Sequence, residues 1–241
     1  MSEPDCVTVI TGGNRGIGFE TARQLGQQGH LVILTSRDGI KGKAAVDKLQ
    51  SEGVAVVYHP LDVDREESRL RLFRFIEERY QRLDVLINNA GIMPDGAPDA
   101  PQNASVFDTD LDLVRQSMET NLYGPLRLCQ LAVPLMRRNG LGRIVNVSSG
   151  LAQLSEMRGS FAGYRMSKTA LNALTRIVAS EVRGENILVN AVSPGWVRTR
   201  MGGSNAPRAA AEAVRGITWL ATLDDDGPSG GFYQDRMAIP W

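Results

Sequence analysis

Tyr164 and Lys168 stand four residues apart in a stretch that reads as helix, so their side chains share one face. A fixed ammonium beside a phenol favours the phenolate. It should draw the tyrosine down from its usual value of about 10 toward the working pH. Such a tyrosine can give a proton to a carbonyl oxygen or take one from an alcohol. Upstream, Ser149 follows the apolar run 143–147. That places a hydroxyl at the mouth of a buried strand, able to hydrogen-bond the same oxygen. A Tyr and a Lys also fall four apart by accident, so other stretches must agree with this reading.

A second chemistry lies near the start. The apolar run 7–10 ends in Thr11-Gly12-Gly13-Asn14-Arg15-Gly16-Ile17-Gly18, and a helical pattern follows. Strand, glycine turn and helix together hold a phosphate: glycines let the backbone approach the anion, and the helix N-terminus offers free N–H groups. A lone glycine spacing also serves ordinary tight turns; its place directly after the first strand favours the phosphate. Arg37 ends the second strand, beside Ser36, where a dinucleotide's adenosine ribose would lie. An acid there would accept from the 2′-hydroxyl, whereas a base suits a 2′-phosphate. Arg37 and Arg15 together argue for NADP(H).

The elements that must position these groups alternate. Strands are predicted at 7–10, 31–34, 54–57, 84–87, 143–147 and 187–192, with a last one starting near Gly231-Phe232-Tyr233. Helices are predicted from 17 to about 29 and over 40–52, 66–80, 109–139, 164–182 and 207–222. Pro125 and Pro134 should kink or divide the long 109–139 stretch. Strands alternating with helices imply an α/β fold, a doubly wound parallel sheet with helices on both faces. The near-continuous Val/Ile/Leu strands fit burial on both sides. No linker, repeat or low-complexity segment interrupts the 241 residues, which read as one domain. The proline-bearing loop 94–102 is expected to border a site.

Composition excludes other classes. Hydrophobic residues are 42%, charged residues 22% and the formal net charge is zero, with arginines scattered. Neither a nucleic-acid surface nor a membrane surface is suggested. No apolar run approaches the roughly 20 residues of a membrane span. The start is polar and acidic, unlike a signal peptide. Cys6 and Cys129 sit far apart in apolar contexts and read as core thiols of a reducing, cytoplasmic compartment. The two histidines, His30 and His59, stand apart and form no metal cluster with the cysteines. Asp224-Asp225-Asp226 reads as a solvated turn.

Thr11-Gly-Gly-Asn-Arg-Gly16-Ile-Gly18, Asn88-Asn89-Ala90-Gly91, Asn121, Ser149, Tyr164-x-x-x-Lys168 and Pro194-Gly195 together resemble the short-chain dehydrogenase/reductase family. The match runs from residue 5 to about 200, with the motifs in order. The resemblance implies a Rossmann fold and adds roles. Lys168 would also hydrogen-bond the nicotinamide ribose. Asn121 resembles the family's helix-interrupting asparagine, which positions a water in the proton relay. Asp62 and Val63 resemble the pair that contacts adenine, and Asn89, Ala90 and Gly91 the segment backing the ribose. Val197 and Thr199 resemble the residues that meet the carboxamide. Of the adjacent Ser148 and Ser149, the later is chosen, because strand alternation puts neighbours on opposite faces. The Ser149–Tyr164 gap is slightly longer than the commonest family spacing, and the region after Thr199 is short.

The reading reached is an NADPH-dependent reductase of ketone or aldehyde carbonyls, reversible toward the alcohol and needing no metal, with catalytic Asn121, Ser149, Tyr164 and Lys168. Its rivals are a 3-oxoacyl-thioester reductase and a non-catalytic NADP-sensing or scaffold protein on the same fold. The resemblance also implies a homodimer or homotetramer. Few contacts are expected around the substrate, in an open apolar cleft walled by Ile92 to Pro94, Leu151 to Phe161, and Trp196 and Met201. The alternative is a tail ending in Pro240-Trp241 that folds over the site.

Overall fold

The computed structural model describes residues 6–96 and 104–241. Eight strands form one sheet in the order β3-β2-β1-β4-β5-β6-β7-β8. They are β1 (Val7–Ile10), β2 (Leu31–Ser36), β3 (Val56–Pro60), β4 (Val85–Asn88), β5 (Gly142–Val147), β6 (Ile187–Val192), β7 (Phe232–Gln234) and β8 (Met237–Ala238). All pairings are parallel except β7–β8, an antiparallel hairpin that the sequence pattern does not announce.

Register explains the continuous apolar strands. Ile33, Val9, Leu86, Ile144 and Val189 lie side by side across five strands and point to one face. The next row, Leu34, Ile10, Ile87 and Val145, points to the other. Each such side chain, fully buried, contributes about 1.5–3 kcal/mol. Helices α1 (Gly16–Gln27) and α2 (Gly39–Ser51) cover the second row through Leu25 and Leu49. Helices α3 (Glu66–Tyr80), α4 (Leu111–Met118), α5 (Gly124–Asn139) and α6 (Ala162–Glu181) follow in the chain. Leu72 and Ile76 of α3 and Leu128 and Met136 of α5 cover the first row.

The final helical stretch is two short helices, α7 (Ala210–Ala213) and α8 (Arg215–Ala221), not one continuous helix. The 109–139 stretch divides too, but not where proline alone would break it. Glu119–Tyr123 is a π-helical turn joining α4 to α5. Pro125 sits in the first turn of α5, where no backbone donor is needed, and Pro134 is carried inside α5. The widened turn is centred on Asn121, and such turns recur at functional sites.

Cys129 is buried; Cys6 is only partly buried, with Sγ 3.3 Å from His30 Nδ1. Burial pushes Cys6 up to about 11 and Cys129 up to about 12, so neither is a thiolate near neutral pH. In the acidic turn, Asp225 pairs with the buried Arg143 at 2.8 Å. Among the described residues no helix is long and apolar enough to cross a membrane.

Candidate active site

In the strand order, β1 lies between β2 and β4, so the chain turns to opposite faces after these neighbours. A crevice opens beyond the carboxyl ends of strands at such a switch point. Side chains lock its floor. Thr11 Oγ1 accepts from the backbone N–H of Asn89 (2.9 Å) and Ala90 (2.8 Å), and Asn89 Nδ2 donates back to the Thr11 carbonyl (2.8 Å). Gly18 packs so closely here that a Cβ would stand 2.5 Å from Asn89 Nδ2 and 2.6 Å from the Gly12 carbonyl. Gly16 has φ +56, in the left-handed region.

From this floor a cleft of about 750 Å³ runs across the strand ends. At one end Gly12, Asn14, Arg15, Gly16, Ile17 and Gly18 line it, with the first turn of α1 facing in. Ser36 and Arg37 follow at the end of β2. The guanidiniums of Arg15 and Arg37 are exposed and have no ion-pair partner among the described residues. The nearest acid, Asp38, is committed elsewhere: it caps α2 through Lys41 N (3.1 Å) and pairs with Lys41 Nζ (2.6 Å). This end is a cradle of backbone N–H groups and two unpaired arginines, which suits a phosphorylated adenosine ribose. Val63 lines the cleft, and so does Leu61, a contact the sequence does not signal. Asp62 does not line it. Its carboxylate turns to Asp64 N (3.2 Å) and Arg65 (3.5 Å). Asn89, Ala90 and Gly91 line the middle.

Tyr164 and Lys168 project into the cleft from the start of α6, and Ser149 from the end of β5. Ser149 hydrogen-bonds the Tyr164 side chain, while Ser148 turns its hydroxyl onto the Lys168 carbonyl (3.4 Å). Lys168 is buried, and its Nζ donates to the Val147 carbonyl at 2.8 Å. An ammonium has three donors; a Cβ on Gly91 would lie 3.3 Å from Nζ, so the ammonium also faces the middle of the cleft.

The electrostatics depart from the expectation of a tyrosine drawn down by lysine. Burial pushes the Tyr164 phenol up; the Ser149 hydrogen bond draws it down, and the charge on Asp95 pushes it up. Burial also draws Lys168 down to about 8. Both groups are desolvated, and desolvation opposes the charged form of each.

Asn121 is buried and does not line the cleft. Its Oδ1 accepts from Ile92 N and its Nδ2 donates to the Ile92 carbonyl, both at 2.9 Å; Nδ2 also donates to Ser167 Oγ (2.9 Å). Ser167 in turn donates to the Tyr164 carbonyl (2.9 Å). The Asn121 side chain is thus occupied in holding the Ile92 segment against α6.

The far side is built by the segment after β6. Pro194, Gly195, Val197 and Thr199 line it. Ser193, not singled out in the sequence, ties this side together: its Oγ accepts from Gly150 N (3.0 Å) and Gly195 N (3.3 Å) and donates to Gln234 Oε1 (3.0 Å). Thr199 reaches across to the glycine turn, where a Cβ on Gly16 would stand 3.2 Å from its methyl. Residues 196–202 form a closed loop, with Trp196 Nε1 donating to the Gly202 carbonyl (2.7 Å) and Gly202 N to Thr199 Oγ1 (3.0 Å).

Of the expected substrate walls, Ile92, Met93, Leu151, Phe161, Trp196 and Met201 line the cleft, and Pro94 does not. Most of the 94–102 loop falls outside the described residues. Residues between Leu151 and Phe161 do not line the cleft. Their loop is gathered by the buried Arg165, whose Nε donates to the Ser160 carbonyl (2.9 Å) and Nη1 to the Leu151 carbonyl (3.2 Å). The tail does not fold over the opening; no residue beyond Gln234 lines it. Instead Trp241 stacks on Phe232, its carbonyl accepts from Leu154 N (3.0 Å), and Pro240 accepts from Gln153 Nε2 (3.0 Å).

Comparison with known proteins agrees with this geometry. The family model for short chain dehydrogenase matches residues 6–210. The chain belongs to the short-chain dehydrogenase/reductase family. As a member it is an oxidoreductase. Carbonyl reductase [NADPH] 1 of Bos taurus is 34% identical, with the whole of both chains covered. The (+)-neomenthol dehydrogenase of Capsicum annuum is 30% identical, covering 93% of this chain and 94% of its own. Among solved structures, an NADPH-bound carbonyl reductase from chicken fatty liver superposes with a TM-score of 0.85 at 29% identity, covering 99% of this chain and 100% of the other.

Proposed function

We propose that the protein is an NADPH-dependent carbonyl reductase that turns ketones or aldehydes into alcohols, and that the whole chain works as one NADP-binding unit. The observation that carries this is the Ser149–Tyr164 hydrogen bond, one helical turn from Lys168, in the same cleft as the glycine turn and two unpaired arginines. NADP(H), when bound, supplies or takes up the hydride. Arg15 and Arg37 hold its 2′-phosphate, the N-terminus of α1 its diphosphate, and Lys168 its nicotinamide ribose. Val63 meets the adenine, and Val197 and Thr199 the carboxamide.

Tyr164 gives its phenolic proton to the carbonyl oxygen, and Ser149 Oγ hydrogen-bonds that oxygen and orients it. Lys168, charged below about pH 8, stabilises the phenolate left behind. Asn121 fixes the Ile92 segment that walls the substrate. With Met93, Leu151, Phe161, Trp196 and Met201 around the opening, the substrates are small to medium hydrophobic carbonyl compounds, accepted with wide tolerance.

The test is NADPH consumption over a panel of ketones, aldehydes, diketones and quinones, run beside NADH and beside a 3-oxoacyl thioester. Turnover of hydrophobic ketones with NADPH preferred supports the reading. Turnover confined to the thioester moves the substrate class, and tight NADPH binding with no turnover returns the chain to a sensing role. In the cell the enzyme works in the cytoplasm as a homodimer or homotetramer, with the α4–α5 stretch and α6 as the shared surfaces; light scattering reads the assembly.

A further inference from the structure

Asp95 is 7% exposed, in the segment that follows β4. Its Oδ2 accepts from the backbone N–H of Gly163 (2.7 Å) and of Tyr164 (3.3 Å), in the first turn of α6. Those donors have no partner within the helix. Phe161, at the N-cap position, has φ 54 and makes no side-chain cap. The cap therefore comes from 68 residues upstream. The other oxygen, Oδ1, is buried without a hydrogen-bond partner, and no cation pairs with Asp95 among the described residues. We propose that Asp95 is a positioning residue for the proton transfer, seating Tyr164 in the first turn of α6 and placing a carboxylate without a paired cation beside it. This rests on the acid role proposed for Tyr164.

The segment carrying Asp95 is anchored three residues upstream, where Asn121 holds both the N–H and the carbonyl of Ile92. Few charges compete with the carboxylate. On α6 itself, Lys168 lies one turn along, and Arg165 is turned onto the Ser160 and Leu151 carbonyls. From β5 the phenol meets only the Ser149 hydroxyl. From α4, Ser117 bonds its own helix at Leu113, while Asp112 and Arg115 pair with each other at the surface. Glu156 and Arg158 of the 153–160 loop are exposed. A phenolate at Tyr164 would add a second negative charge near a carboxylate that has no paired cation among the described residues, and like charge disfavours ionisation. Burial does most to push the Tyr164 phenol up, and the charge on Asp95 acts in the same direction.

The test compares wild type with Asp95→Asn, which keeps an acceptor for the cap and removes the charge. The pH profile of kcat/KM for carbonyl reduction should lose activity on its alkaline side at a lower pH than in wild type. The acid side of alcohol oxidation should move the same way, because both report one phenol. Asp95→Ser, a second neutral acceptor, should reproduce the shift, and Asp95→Glu, which keeps the charge, should restore the wild-type profile. A merely structural role would lower the melting temperature or the rate at every pH with both limbs fixed, and that result overturns the proposal. The acid reading itself is judged apart, by Tyr164→Phe in the wild-type background: activity retained there removes that reading whatever Asp95 does.

Discussion

At the glycine end of the cleft, the holding contacts join the ends of adjacent parallel strands. Thr11 and Asn89 meet because β1 and β4 are hydrogen-bonded neighbours, and Gly18 is small because that junction is tight. At the tyrosine end, the holding contacts are side chains thrown across loops: Asp95 to α6, Asn121 to Ile92, Arg165 to Leu151 and Ser160, Leu154 to the Trp241 carbonyl. The first end grips an anion with backbone donors and needs little from side-chain ionisation. The second must keep a phenol and an ammonium in register while both are buried. The anion-binding end thus rests on strand register, whereas the shape of the tyrosine end rests on clamps between segments far apart in the chain.

The largest effect expected falls on the second end. Tyr164→Phe keeps the ring and removes the acid, so kcat for carbonyl reduction should fall about 10²–10⁴-fold. NADPH affinity, read by fluorescence titration, should stay near wild type, because the glycine end is untouched. Near-normal turnover would remove Tyr164 from the chemistry.

Arg37→Asp attacks the first end. A charge-assisted bond to phosphate is worth about 1.5–3 kcal/mol, so kcat/KM with NADPH should drop by at least about tenfold while NADH loses little. Should wild type already prefer NADH, the two unpaired arginines serve something else.

Lys168→Met separates stability from activity at the tyrosine end. A shift from 10.5 to about 8 corresponds to roughly 3 kcal/mol of disfavoured charge in the folded state. The substitution orphans the Val147 carbonyl, which takes back about 1–3 kcal/mol. At pH 7 the apo variant should therefore be at least as stable as wild type, by about 1 kcal/mol, although inactive. The sign with pH follows from proton binding. Between about 8 and 10.5 the unfolded lysine holds its proton and the folded one has lost it, so wild-type stability rises through this window and the variant's margin shrinks. Denaturant melts at pH 7 and pH 10 decide it; a margin that grows with pH contradicts the buried ammonium.

The smallest effect is expected at the tail. Removing Pro240 and Trp241 strips the stack on Phe232 and two hydrogen bonds to the 153–154 loop. The melting temperature should fall by about 2–4 °C, with kcat/KM for any carbonyl compound changed less than about threefold. A large change in substrate preference would make the tail part of the site, against the cleft lining seen here.

Local pattern carries the fold and the anion-binding end. The strand positions, the alternation with helices, the glycine turn and the Tyr164–Lys168 spacing depend on residues close in the chain, and periodicity and turn chemistry report such things directly. Arg37 was legible because strand ends in a parallel sheet gather along one edge, and Val63 only through the family resemblance. Tertiary structure alone decided what depends on partners far along the chain. It turned Asp62 away from the cleft and put Leu61 and Ser193 into it. It made the break in the long helix a π-helical turn, with Pro134 carried inside the helix that follows. It also set Trp241 behind a wall instead of over an opening. The same holds for proton affinity. Spacing could say that a lysine stands beside Tyr164, but burial of both groups and the approach of Asp95 oppose the shift that spacing suggests. Desolvation is a property of the packed interior, and no stretch of sequence contains it.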